Sequence, residues 1–183
     1  DRIIPMRIIL PADFQTQPWK NGGGITHEIA REDAAGSLLW RLSIAEVASD
    51  GPFSAFTGLS RILTVIDGAG LWLDTPHGRL DALPLRPLPF SGDLPVSSRM
   101  IDGPIRDFNL IFNGERLTGS VEHVTAARVL PGVPGRQYAL LTLSDGATVN
   151  EVNLPTGAVA LFNHANLTAS PALSALLVQL DPH

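Results

Sequence analysis

One lysine stands in this chain of 183 residues, in the run Pro18-Trp19-Lys20-Asn21-Gly22-Gly23-Gly24. Three successive glycines forgo side-chain packing, which is useful where the backbone takes positive φ or another group must come close. The loop feeds Ile25-Thr26-His27-Glu28-Ile29-Ala30. Alternation there puts Thr26 and Glu28 on one face with Gly24 and Ala30, and Ile25, His27 and Ile29 on the other. Trp40-Arg41-Leu42-Ser43-Ile44-Ala45 repeats the pattern, with Arg41 and Ser43 opposite Trp40, Leu42 and Ile44. An arginine inside an apolar strand needs solvent, a carboxylate such as Glu28, or an anionic ligand. Lys20, Asn21, Thr26, Glu28, Arg41 and Ser43 share two strands and one loop, and they are the first candidates for ligand contact. Arg61 and Asn109 follow. Lys20 and Arg41 would satisfy a carboxylate while Glu28 accepted from a cationic group, a combination selective for zwitterion-like molecules. The same groups allow a second chemistry, with Glu28 or His27 as the acid–base group and Lys20 as electrophilic helper. Two plainer readings stand beside these: a glycine-rich hairpin with an exposed lysine, and an Arg41–Glu28 pair that braces adjacent strands.

Other chemistry has less support. The histidines at 27, 77, 123, 164 and 183 form neither an HxH nor an HExxH pattern, so no metal site is expected. Cysteine is absent, which removes disulfides, thiolate sites and cysteine nucleophiles. The glycine run is no P-loop, because there the lysine follows the glycines and a helix comes next. No GxSxG elbow occurs. Asp107 and Asn109 share a face opposite Phe108 and Leu110 and read as polar groups turned away from a packed side. Asp50, Phe53, Gly92 and Asp93 read as turns and core.

Net charge is −5 and no Lys/Arg run exists, which argues against nucleic acid or an anionic membrane as partner. Apolar residues make up 44% and charged residues 17%, a globular composition. No apolar run approaches the roughly 18 residues that cross a bilayer. The opening DRIIPMRIIL lacks the long apolar region and cleavage site of a secretory signal. A cysteine-free chain suits a reducing cytoplasm, which is the expected location.

The elements that must position these residues are strands. Seventeen glycines and 15 prolines punctuate short apolar runs. Strands are expected at 6–10, 25–31, 39–47, 61–66, 70–74, 108–112, 120–130, 138–143, 148–152, 158–162 and 175–180, and long helices are not. The fold class is therefore all-β, a sandwich or barrel. Leu63-Thr64-Val65-Ile66-Asp67-Gly68-Ala69 recurs as Leu141-Thr142-Leu143-Ser144-Asp145-Gly146-Ala147, five of seven residues matching at an offset of 78. Asp-Gly between apolar runs is a strong hairpin signal. An echo at about half the chain length points to internal duplication and two similar barrels in tandem.

PWKNGGGITHEI, then WRLSIAEVASDGPFSAFTGLSRILTVIDGAG, FSGD (Phe90–Asp93) and DFNLI (Asp107–Ile111) occur in the order that resembles the HutD/Ves family. The resemblance spans about Pro18 to Ile111. It implies a bicupin, two small jelly-roll-like β-barrels in one chain, divided as 1–113 and 114–183 with strands exchanged across the boundary. It also implies a small-molecule-binding regulator of histidine utilisation that senses formiminoglutamate or urocanate. The alternative is a metal-independent cupin-type isomerase or hydrolase acting on a related metabolite. Catalysis is thus not required, and no cofactor, nucleic acid or membrane partner is implied. After Gly68-Ala69-Gly70, where metal-dependent cupins place paired histidines, stands Leu71-Trp72-Leu73-Asp74, so their metal chemistry is not carried over.

Overall fold

Alternating runs of five to ten residues, closed by Gly, Pro and Asp-Gly, favour strands joined by tight turns. The computed structural model describes residues 6–169 and 172–183. The first five residues of the expected unit 1–113 lie outside them. Apart from a 3-10 turn at Pro11–Asp13, the regular elements are strands. They are β1 (Arg7–Ile9), β2 (Gln15–Pro18), β3 (Gly24–Ala34), β4 (Ser37–Val47), β5 (Gly51–Pro52), β6 (Ser60–Asp67), β7 (Leu71–Thr75), β8 (Gly78–Ala82), β9 (Leu88–Ser91), β10 (Ser97–Met100) and β11 (Ile105–Phe112). The second half adds β12 (Leu117–Val124), β13 (Arg128–Leu130), β14 (Gln137–Thr142), β15 (Ala147–Val149), β16 (Val152–Leu154), β17 (Val159–Phe162), β18 (Ala165–Ala169) and β19 (Ala175–Pro182).

The chain divides into two units, Phe14–Glu115 and a second one that joins the segment ending at Asp13 to Arg116–His183. The strand β1 pairs with β17, which ties the N-terminal segment to the later unit. In the first unit the sheets run β2-β3-β4-β11-β6-β9 and β5-β10-β7-β8. In the second they run β1-β17-β14-β19-β12 and β13-β18-β15-β16. Adding eight to each number of β4-β11-β6-β9 and β5-β10-β7-β8 gives β12-β19-β14-β17 and β13-β18-β15-β16. The recurring Asp-Gly motif falls after β6 and after β14, with Gly68 at φ 90° and Gly146 at φ 87°. Among the described residues no sheet closes on itself.

Two expected strands are subdivided. The run 120–130 breaks after Val124, and its last residues become β13 on the other sheet. The run 148–152 contains a two-residue hairpin, because Asn150 and Glu151 take φ of 50° and 67° and Val149 pairs with Val152. The strands β2, β5, β8, β9, β10, β16 and β18 were not expected; they are short, and β5, β9, β10 and β18 pair with strands distant in sequence.

Each unit fills the space between its sheets with apolar side chains. In Phe14–Glu115 that core holds Val47, Leu63, Val65, Leu71, Leu73 and Ile105. In the other unit it holds Val124, Tyr138, Leu140, Phe162, Ala175 and Leu177, among others. Side chains alternate along a strand. Those on the core side of β4, β6 and β11 therefore continue from Val47, Leu63 and Ile105 to Arg41, Ser43, Arg61, Asp107 and Asn109.

Candidate functional site

The PWKNGGG run forms the β2–β3 hairpin. Trp19 N donates to Gly24 O at 2.9 Å, and Gly22 N donates to Trp19 O at 3.1 Å. Gly22 takes φ 75°, which a glycine adopts without strain. Asn21 Oδ1 accepts from Gly23 N at 2.8 Å, a side-chain-closed turn. Gly24 answers a different need. A Cβ there would lie 2.5 Å from Glu46 O and 3.0 Å from the Trp19 ring, so the missing side chain lets the indole seat on the backbone. The indole is pinned again by its Nε1 donating to Thr26 Oγ1 at 2.7 Å and by an edge-on contact with Phe53, centroids 6.2 Å apart.

Behind this wall lies a cavity of about 560 Å³. Its floor is the core face of the large sheet: Arg41, Ser43 and Ala45 on β4, Arg61 on β6, and Asp107, Asn109 and Ile111 on β11. Lys20 and Asn21 stand at one margin, and Lys20 is exposed. Phe53, Ser54 and Phe56 close the other margin. That segment is held by Phe53 N on Val96 O at 2.9 Å and Phe56 N on Gly92 O at 2.9 Å. Gly58 N donates to Asp93 Oδ1 at 3.0 Å. A Cβ at Gly92 would meet Phe56 O at 2.2 Å, so this position admits no side chain.

The floor is electrostatically unusual. Arg61 is 6% exposed, and its guanidinium lies 4.8 Å from the Phe90 ring centroid, 5.1 Å from that of Phe56 and 5.6 Å from that of Phe53. Such a cation–π box replaces part of the lost hydration. Arg61 Nη1 donates to Ser54 O at 3.3 Å, while its Nε is buried without a partner. Burial lowers its pKa to about 10, and the Asp107 charge opposes that. Asp107 is 1% exposed. Burial pushes its pKa up to about 7, against the Asn109 hydrogen bond and the Arg61 charge. Asn109 Nδ2 donates to Asp107 Oδ1 at 2.5 Å. Asp107 Oδ2 and Asn109 Oδ1 are buried and unpartnered.

Seven of the eight expected site residues therefore line one cavity: Lys20, Asn21, Thr26, Arg41, Ser43, Arg61 and Asn109. Glu28 is not among the lining residues. It accepts from Arg41 Nε at 2.7 Å and lies 3.6 Å from Arg31 Nη1, so it is a brace between strands. A bulge between Glu28 and Ala30 sends Ala30 to the other face, a change no alternation rule foresees. His27 faces away from the floor, between Thr16 Oγ1 at 2.8 Å and Glu46 Oε2 at 2.5 Å. Asp107, Phe53 and Phe56 were not ranked as site residues and do line the cavity. Alternation had already put Asp107 beside Asn109. The missing signal was burial: Phe108, Leu110 and Asp107 are all buried, so both faces of β11 are covered.

Among the described residues, no group of three or more His, Cys, Asp or Glu is placed to hold a metal ion, and no helix is long and apolar enough to cross a membrane.

Fold and cavity together define an all-β protein in which one of two similarly wired units surrounds an arginine-lined polar cavity. The solved structure of HutD from Pseudomonas fluorescens SBW25, in a formate condition, is 33% identical with TM-score 0.88, covering 98% of this chain and 100% of that one. The conserved protein of unknown function PA5104 from Pseudomonas aeruginosa PAO1 is 31% identical with the same TM-score and coverage. The chain belongs to the HutD family, whose model matches residues 11–179. A curated relative, an uncharacterised 21.2 kDa protein in the hutC 3′ region of Pseudomonas putida, is 42% identical over 119 residues, 61% of this chain and 60% of that protein. The family is thereby linked to histidine-utilisation genes. Bacterial pirin YhhW from Escherichia coli, solved with nickel(II), shares the fold at TM-score 0.74 with 8% identity, over 97% of this chain and 99% of that one.

Proposed function

We propose that this chain is a small-molecule-binding regulator of histidine utilisation, and that its ligand is an anionic or zwitterionic intermediate, formiminoglutamate or urocanate. The observation that carries the reading is the convergence of Lys20, Arg41 and Arg61 on one cavity. Three cations around a half-apolar hollow suit a carboxylate attached to a flat or extended body, with Trp19, Phe53 and Phe56 supplying the apolar contact. The HutD membership supports the choice among carboxylates. The two units are read as a bicupin, two barrels in tandem, which their shared strand order supports. The working location is the cytoplasm.

Titration calorimetry with formiminoglutamate, urocanate, histidine and glutamate tests the reading. Saturable binding of one of the first two in the micromolar range is expected. Arg61→Leu is expected to weaken it at least about tenfold, the size of a lost charge-assisted hydrogen bond. Heats of dilution alone at millimolar concentration, for all four compounds, would overturn it.

One observation favours a second reading, a metal-independent isomerase or hydrolase. Asp107 titrates near neutrality in the cavity floor, with a pKa of about 7, as a general acid–base group should. Incubation with pathway intermediates followed by mass spectrometry would then show a product that Asp107→Asn abolishes. Unchanged substrate in every incubation sinks this alternative.

A further inference from the structure

Buried polar atoms nearly always have partners, so orphans call for a reason. Among the described residues five side-chain atoms are buried and unpartnered, and three of them meet at the cavity floor: Arg61 Nε, Asp107 Oδ2 and Asn109 Oδ1. Two of the three are acceptors, on residues two apart on the same face of β11. They are joined to each other through Asn109 Nδ2 and Asp107 Oδ1. Neither the Ser43 hydroxyl nor Arg61 Nε donates to them. Opposite Asn109 on β4 is Ser43, and opposite Asp107 is Ala45. On β6 the partners are Leu63 and Val65. The charged groups around the floor are Arg61 on β6, Arg41 on β4 tied to Glu28 on β3, and Lys20 in the β2–β3 turn. Among the described residues none of them forms an ion pair with Asp107.

We infer that Asp107 and Asn109 are a two-acceptor seat for a planar, N–H-bearing head group of the amidine or imidazole class, at the opposite end of the ligand from its carboxylate. This rests on the carboxylate reading above and adds what the other end of the ligand must be. The two orphan oxygens are closed to solvent, but a carboxyl and a primary amide turn easily about their terminal bond to face the cavity. An amidinium or imidazolium offers two N–H donors from one flat group. It would match both oxygens and place positive charge beside Asp107. The free site holds Asp107 largely as the acid below neutrality, and the cationic head favours the carboxylate, so binding releases a proton. Glu28, the acid first expected to accept from such a head, is occupied by Arg41 and Arg31.

Matched probes test this on the full chain by calorimetry. Formiminoglutamate is compared with N-formylglutamate, whose neutral formamide keeps one N–H in place of the cationic amidine, and urocanate with 3-(2-furyl)acrylate, whose ring has no N–H; each second compound keeps the carboxylate. The amidine or imidazole member of each pair should bind at least tenfold tighter, and Asp107→Asn should shrink the ratio to threefold or less. Formiminoglutamate titrated in buffers of different ionisation enthalpy should release a proton at pH 6 and almost none at pH 8. Should Asp107→Asn fail to fold, the wild-type ratio and proton count decide alone. Equal binding within both pairs, or no proton release at pH 6, overturns the seat while leaving the carboxylate reading intact. Failure of all four probes to bind overturns the carboxylate reading itself.

Discussion

The two units of this chain wire eight strands in one order and then use the space between their sheets differently. In Phe14–Glu115 the core face of β6 and β11 begins apolar, with Leu63, Val65 and Ile105, and ends in Arg61, Asp107 and Asn109. In the other unit the core face of β14 and β19 stays with Tyr138, Leu140, Ala175 and Leu177. Buried hydroxyls there find backbone partners, and among the described residues one side-chain atom, Asn163 Oδ1, is buried without one. Tyr138 donates to Pro131 O at 2.8 Å and stacks on Phe162 at 5.5 Å, and Thr142 donates to Pro155 O at 2.7 Å. Six of the seven buried polar or charged residues among those described lie in the first unit: Ser43, Arg61, Thr64, Ser98, Asp107 and Asn109. Unpartnered burial of that kind costs stability. The same architecture can thus spend its interior on cohesion or on a site, and the choice rests on a few inward positions.

The largest effect expected from breaking this contrast is Leu177→Asn. It puts an unpartnered amide into the fully apolar core and should lower unfolding free energy by about 3 kcal/mol in urea titrations. Asn109→Leu, the reverse exchange at the polar floor, removes an orphan oxygen but also the donor to Asp107 Oδ1, and should cost no more than about 1 kcal/mol. Equal losses from both variants would erase the distinction between the interiors.

A pH series sharpens it. Folding raises the Asp107 pKa from 3.8 to about 7, so between those values the native state holds a proton that the unfolded chain has released. The contribution is fully present below pH 3.8 and is lost as pH rises through about 7, a span on the order of a few kcal/mol. Asp107→Asn should flatten the wild-type decline over that window in chemical denaturation at a series of pH values. An unaltered slope would place the titrating group elsewhere.

Smaller effects are expected at the rim. Gly24→Ala drives a Cβ against the Glu46 carbonyl, and it should cost about 1–2 kcal/mol in thermal unfolding and red-shift Trp19 fluorescence. Lys20→Ala should leave the melting temperature unchanged, because the side chain is exposed. It should slow ligand association about threefold at low salt, as removal of a rim charge does.

Much of the site was legible because alternation is a local property. Thr26, Arg41, Ser43 and Asn109 could be assigned to one side of their strands without knowing the neighbours. The glycine run could be read as a close approach, although only the fold identifies Trp19 as the group that approaches. Asp107 escaped because its strand reads polar on one face, and burial of that face depends on β4 and β6 lying on either side. Glu28 lies outside the cavity lining, paired with Arg41 and Arg31, and the bulge between Glu28 and Ala30 leaves no mark in the residue pattern. Phe53 and Phe56 read as core, and they are core-like in packing around Arg61 while still forming the cavity margin.

Residue order alone determined the all-β class, the Asp-Gly turn that follows β6 and recurs after β14, the faces of the long strands and the cluster of family motifs before residue 112. These follow from short-range sterics and from a period of two. Tertiary structure decided which polar groups lost their water, which of them found partners, and that three at the cavity floor did not. Desolvation and long-range charge depend on residues brought together from β4, β6 and β11, and no local pattern encodes that meeting.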